Sequence, residues 1–333
     1  MKKFIQFTLT PLNFIKRFLQ LLNPFLLIIS FSNLLVLNLA NASQVPNRFA
    51  SGDKLGLYYT IADLFCYIQD HVNQKNICDA IESKGSRDNI NLIKNKQAEF
   101  GIIQMDHLYD DYLNNPDTKI RSIIRVYPET FTLIVKKNSD IWSIKDLQKI
   151  KKLGIGQSGG AKSLLTKLME EVEVDYNKIT FDSNYTSTNM PDAICEDKID
   201  AAAFMIAHPN AMLQEIAKEC EVRLIPVSES LANRIMDKYK FYHKDVIRDN
   251  LYPGIIMPVF SLSTYAVIAG LDNNNEKQVF DFVKNVANNL KYLRKSHEAL
   301  NELEVDNFLP SEDVGMPLHK GTRLFFDKME KSR

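Results

Sequence analysis

The sequence predicts an α/β fold made of two similar halves, each a mostly parallel sheet covered by helices. Three observations predict it. Strand-like and helix-like runs alternate along the chain, glycine-bearing turns precede three of the helices, and two long strand-like runs near residues 130 and 260 stand outside the alternation. Alternation of this kind implies parallel strands joined by crossover helices that cover both faces of the sheet.

The elements follow in order. "NRFASG" reads as a short strand ending at Gly52. The next helix carries Ile61, Leu64, Phe65 and Ile68 at i, i+3, i+4 and i+7, a face meant for burial. "ICDAIES" reads as strand, "KGSRDNINLIKN" as a glycine turn opening a helix with Asn89 one turn in, and "AEFGIIQMD" as a strand with Gln104 and Asp106 at its end. "IRSIIRVYPETFTLIVKK" reads as two strand-like runs broken at Tyr127-Pro128-Glu129. A helix follows at "SIKDL", where Ser143 and Asp146 have capping-box spacing. "LGIGQSGGAKSLLTKLMEE" is strand, glycine turn and helix again, and "KIDAAAFMIAHP" strand and turn. Residues 137–258 therefore read as a second copy of the architecture, without repetition of sequence. "VFSLSTYAVIAGL" is a long strand, "EKQVFDFVKNVANNLKYLRK" one amphipathic helix, and "GMPLHKGTRLFFDKMEK" a turn and a last helix. The crossings near residues 130 and 260 are the predicted hinge between two lobes.

Charge narrows the partners. Residues 1–42 hold Lys2, Lys3, Lys16 and Arg17 and no acid, so the rest of the chain carries 37 basic against 41 acidic residues. Without a basic stripe to displace counterions, nucleic acid is not an expected partner. The basic start, the apolar run "FLQLLNPFLLIISFSNLLVLNLA" and Ala40-Asn41-Ala42 predict a signal peptide (residues 1–42) cut after Ala42 and a periplasmic product. A retained anchor is the alternative, but Pro24, Ser30, Ser32, Asn33 and Asn38 interrupt the apolar run.

Four cysteines remain, as two local pairs, Cys66 with Cys78 and Cys195 with Cys220. In an oxidising compartment that pattern reads as two disulfides; four buried thiols are the other reading. No CxxC and no His–Cys spacing suits zinc.

Candidate binding residues sit at the glycine turns and strand ends. The turns are at Gly52 and Gly56, at Gly85, and at Gly156, Gly159 and Gly160. A helix start presents unpaired N–H groups and a partial positive charge, and so holds carboxylates and other anions. The expected ligand-binding set is Gly56, Leu57, Tyr58, Tyr59, Gly85, Ser86, Asn89, Gln104, Asp106, Tyr127, Glu129, Gly156, Gly159, Gly160, Ala161 and His208. Asp106 and Glu129 suit a ligand ammonium group, and a structural hydrogen bond is the first expectation for His208. The turns lack both the Walker and the GxGxxG patterns. No GxSxG, no HExxH and no unpaired nucleophilic cysteine points to catalysis. No enzyme, cofactor or metal is expected.

Several segments together are similar to one known family. "GLYYTIADLFC" with Cys78, "ESKGSRDNINLIKNKQAEFGIIQMD", "VYPETFTLIVKKNSDIWSIKDL", "AICEDKIDAAAFMIAHPN", "KECEVRLIPV" and "LYPG" occur in the family's order, from about residue 46 to residue 330. The chain resembles the TAXI-type solute receptors of tripartite ATP-independent periplasmic (TRAP) transporters. The resemblance implies a two-lobed, type II-like periplasmic-binding-protein fold, with lobe 1 in residues 43–130 plus 262–333 and lobe 2 in residues 131–261. It also implies a monomer that closes a cleft around a small organic anion or amino acid, such as glutamate or a dicarboxylate, and delivers it to an ion-coupled membrane permease. A solute sensor without a permease, or a periplasmic enzyme on the same fold, are the alternatives. The chain departs from the family at Asp53-Lys54-Leu55, at Thr60, and at Gly159-Gly160-Ala161, where Gly-Ser-Gly is usual.

Overall fold

The structure is a computed structural model and describes residues 47–331 apart from 116, 118, 157–159, 187 and 310–313. The expected signal peptide and Gly159 lie outside the described residues. Residues 46–333 form one compact unit.

Among the described residues, ten strands make one sheet. They are β1 (Asn47–Ala50), β2 (Cys78–Ile81), β3 (Phe100–Gln104), β4 (Ile120–Lys136), β5 (Lys152–Ile155), β6 (Thr180–Asp182), β7 (Ala201–Ile206), β8 (Val222–Leu224), β9 (His243–Ile247) and β10 (Val259–Leu271). The order along the sheet is β2-β1-β3-β10-β4-β7-β5-β6, with β8 on β4 and β9 on β10. The alternating segments pair in parallel at each end, β2-β1-β3 at one and β7-β5-β6 at the other. The long strands β4 and β10 run antiparallel through the middle and join the two ends. This is an α/β arrangement of the type II-like kind, in which the long strands join the two ends of one mixed sheet.

Sequence periodicity explains the layers. Along β1 and β3, Phe49, Phe100 and Ile102 enter one apolar cluster while Ala50 and Ile103 enter another, as alternation through a sheet requires. Helix α1 (Leu57–Asn73) lays Ile61, Phe65 and Ile68 onto the first cluster. There Phe49, Phe65, Phe100 and Phe282 pack with ring centroids 5.0–6.4 Å apart. Burying rings of this size contributes about 2–3 kcal/mol each, before entropy is counted. Cys66 of α1 joins Cys78 of β2, and Cys195 joins Cys220, so both cysteine pairs are disulfides.

Three expectations change. Residues 120–136 form one strand, not two runs broken at Pro128. Around Pro128, β4 pairs with β10 alone, because β7 begins its pairing at Thr130. A missing N–H is tolerated beside such an open edge. Asp106 is not on strand β3 but in the first turn of α3 (Met105–Asn114), where an acid complements the helix start. The last long helix breaks at Asn289 into α5 (Glu276–Asn288) and α6 (Leu290–Ser296). The "SIKDL" segment is a 3₁₀ turn whose Ser143–Asp146 capping box is formed. Among the described residues, no helix is long and apolar enough to cross a membrane.

Candidate functional site

Four strand–helix junctions meet at one place. The hydroxyl of Tyr58, in the first turn of α1, donates to Glu129 Oε2 at 3.0 Å and lies 3.4 Å from Ser86 Oγ. Ser86 opens α2 (Ser86–Lys94), and its Oγ accepts from the Gln104 backbone N–H at 2.9 Å. Gly85 ahead of it has φ +94°, a conformation that glycine alone adopts without strain. The Gln104 side-chain amide donates to Asp106 Oδ1 at 2.8 Å. Against that amide sits Gly160, the first residue of α4 (Gly160–Glu171), where a Cβ would collide with the Gln104 carboxamide. A side chain there would have to displace the Gln104 carboxamide, so the two ends of the sheet approach closely at this point.

Asp106 is fully buried and takes three donors: Gln104 Nε2, the His107 N–H at 2.7 Å, and the Tyr242 hydroxyl at 2.9 Å. Glu129 is 6% exposed, and burial, the Asp106 charge adding to it, raises its pKa to about 8 against the Tyr58 hydrogen bond. Burial raises Tyr58 and Tyr242 well above the usual phenol range, with Glu129 and Asp106 adding to the effect. Tyr127 is 1% exposed and its hydroxyl has no hydrogen-bond partner among the described residues. The cluster thus combines two acids, three phenols, an amide and a serine. No lysine, arginine or histidine side chain hydrogen-bonds into it among the described residues.

The other expected residues are placed as follows. Gly56 caps α1, and Leu57 and Tyr59 are half-buried against the aromatic cluster. Asn89 is fully buried, and its side chain holds the framework: Nδ2 donates to the Ser51 and Ile102 carbonyls at 2.6 Å each, and Oδ1 accepts from Ser83 at 2.6 Å. Ala161 packs into the core and Gly156 faces open space. His208 stands apart from the cluster, bonded to Thr132 at 2.9 Å and to the Tyr252 hydroxyl at 2.5 Å. Burial lowers its pKa to about 4. Sequence reasoning missed Tyr242. The aromatic run "YKFYH" at 239–243 was the available signal, but nothing local ties it to Asp106.

The fold is α/β and type II-like in its topology, with a polar cluster where the two ends of its sheet touch. The chain belongs to the NMT1-like family, whose family model matches residues 49–329. A solved protein of Bordetella bronchiseptica RB50 is 9% identical, covers 86% of this chain and 99% of its own, and overlays with a TM-score of 0.55. The periplasmic aliphatic sulphonate binding protein SsuA of Escherichia coli is 12% identical over 85% of this chain and 82% of its own, with a TM-score of 0.49. The cysteine-binding protein of Campylobacter jejuni is 13% identical over 80% and 92%, with a TM-score of 0.47. These similarities concern the fold.

Proposed function

We propose that the chain is an extracytoplasmic solute receptor that binds a small carboxylate-bearing solute, an amino acid such as glutamate foremost, and delivers it to an ion-coupled TRAP permease. The permease rests on the sequence resemblance alone. The observation that carries the binding reading is the junction of Tyr58, Ser86, Gln104, Asp106, Glu129 and Gly160, buried groups brought together from distant segments at the meeting of the sheet's two ends. Two adjacent carboxylates suit an ammonium group, and N–H groups at the helix starts suit the solute's own carboxylate. An amino acid offers both; a dicarboxylate offers no cation and meets like charge. Ligand contacts with both ends of the sheet would hold the lobes together, since those contacts exist only in the closed arrangement. Export agrees with the two disulfides.

Calorimetric titration of the purified protein with amino acids and with dicarboxylates tests the reading. Saturable heat from an amino acid is expected. No saturation with either class overturns the receptor, and tighter binding of a dicarboxylate overturns the ammonium assignment.

A further inference from the structure

We infer that the protein has a second binding site, separate from the acidic cluster: a cavity beside the long strands that takes an oxyanion carried on an apolar body, with Arg125 as its anchor. The cavity has a volume of about 360 Å³ and is lined by Met105, Arg125, Lys240, Phe241, Tyr242, His243, Tyr265 and Val314. That volume suits a small organic molecule, as does the mixture of apolar walls and few polar groups.

The polar groups are set for an anion. The Arg125 guanidinium lies 4.1 Å over the Tyr265 ring, and its Nε donates to the Asn307 carbonyl at 2.8 Å. Stacking and that one bond fix the group in place. Its two terminal amino groups make no hydrogen bond or ion pair among the described residues, and they form the planar fork that matches a carboxylate or phosphate. The His243 ring packs on the other contact of Tyr265, with centroids 4.6 Å apart, and its buried Nε2 has no hydrogen-bond partner among the described residues. Burial, with Arg125 adding to it, lowers the pKa of His243 to about 4, so the ring is neutral at pH 7 and can present an Nε2–H to an anion. Lys240 is exposed at the mouth and makes no ion pair among the described residues. The one carboxylate acting on His243 is Asp245, whose oxygens are taken up by the Thr130 hydroxyl at 2.5 Å and the Val246 N–H at 2.7 Å. Met105, Phe241, Val314 and the Tyr242 ring supply the apolar body contacts. Tyr242 divides the two sites: its hydroxyl serves Asp106 while its ring walls the cavity. An anion is repelled on the acidic side and attracted on this one.

The test titrates the purified protein with benzoate and with phenyl phosphate, reading calorimetric heat and the ring resonances of His243. The two probes share the chemistry and distinguish a carboxylate from a phosphate. Saturable binding is expected, with the His243 titration moving to higher pH in the bound form. Arg125→Gln weakens it about 10-fold or more, as loss of a charge-assisted bond does. Lys240→Glu, at an exposed position that folding tolerates, weakens it about 2- to 5-fold. Glu129→Gln leaves it unchanged. If neither probe saturates, or if both Arg125→Gln and Lys240→Glu bind as the parent does, the site is refuted. A change of binding in Glu129→Gln in either direction also refutes it, since the anion would then sit in the acidic cluster.

Discussion

The Tyr242 hydroxyl donates to Asp106 Oδ2 at 2.9 Å across 136 residues of sequence, and so ties the segment before β9 to the helix start after β3. Replacing it with phenylalanine keeps the ring against the core and removes only the donor. Tyr242→Phe leaves a buried carboxylate one partner short, which costs about 1–3 kcal/mol. Thermal melting should register that loss, and ligand affinity should fall about 10-fold. Unchanged melting would mean that the bond contributes nothing net.

Glu129 gives the fold a defined pH dependence. Its carboxyl titrates near 8 in the folded chain against 4.5 ordinarily, because burial disfavours the charge. Between those values the folded state holds more protons than the unfolded state. Stability therefore falls as pH rises through the window and levels off above about 8. At about 1.4 kcal/mol per pKa unit the loss is on the order of a few kcal/mol. Glu129→Gln is neutral at every pH and should not show it. Melting temperatures of the two proteins between pH 5 and 9 should diverge as pH increases, with the variant the more stable at the alkaline end.

Binding of an ammonium-bearing solute should have the opposite slope. The solute needs Glu129 ionised, so below pH 8 binding displaces a proton, and affinity rises with pH by up to about tenfold per unit. Calorimetry at pH 6.5 in two buffers of different ionisation enthalpy counts that proton. A count of zero would argue that the solute does not engage this carboxyl.

Asn89 and Gln104 should separate framework from site. Asn89→Ala removes three buried hydrogen bonds to Ser51, Ser83 and Ile102, and about 3 kcal/mol of stability with them. Gln104→Ala should lower stability less and solute affinity more, because its amide faces Gly160 across the junction. Denaturant midpoints and binding constants of the two variants, measured side by side, check the contrast.

The disulfides close loops of 12 and 25 residues. Chain entropy assigns each about 3 kcal/mol. Cys66→Ala with Cys78→Ala should lower the urea midpoint accordingly, and reduction should lower it in the parent protein by the sum of both bridges. A parent protein insensitive to reductant would count against the entropic account.

The sequence by itself determined the alternation of strands and helices, the buried stripe of α1 and the capping box at Ser143. Each of these depends on residues within a turn or two of one another, where side-chain spacing translates directly into which face is apolar. Local pairing of the cysteines was legible for the same reason, although it left free thiols open. Pro128 misled because a missing N–H breaks a strand only where a partner needs it, and partners are set by topology. Tertiary structure alone decided that Asn89 reaches the Ser51 carbonyl 38 residues away, that Tyr58 finds Glu129 71 residues away, and that Tyr242 finds Asp106. Those contacts arise where β4 and β10 bring the two ends of one sheet together, and pKa values such as that of Glu129 follow from the burial this creates. Short-range spacing carries no information about which side chains a crossing strand will bring face to face.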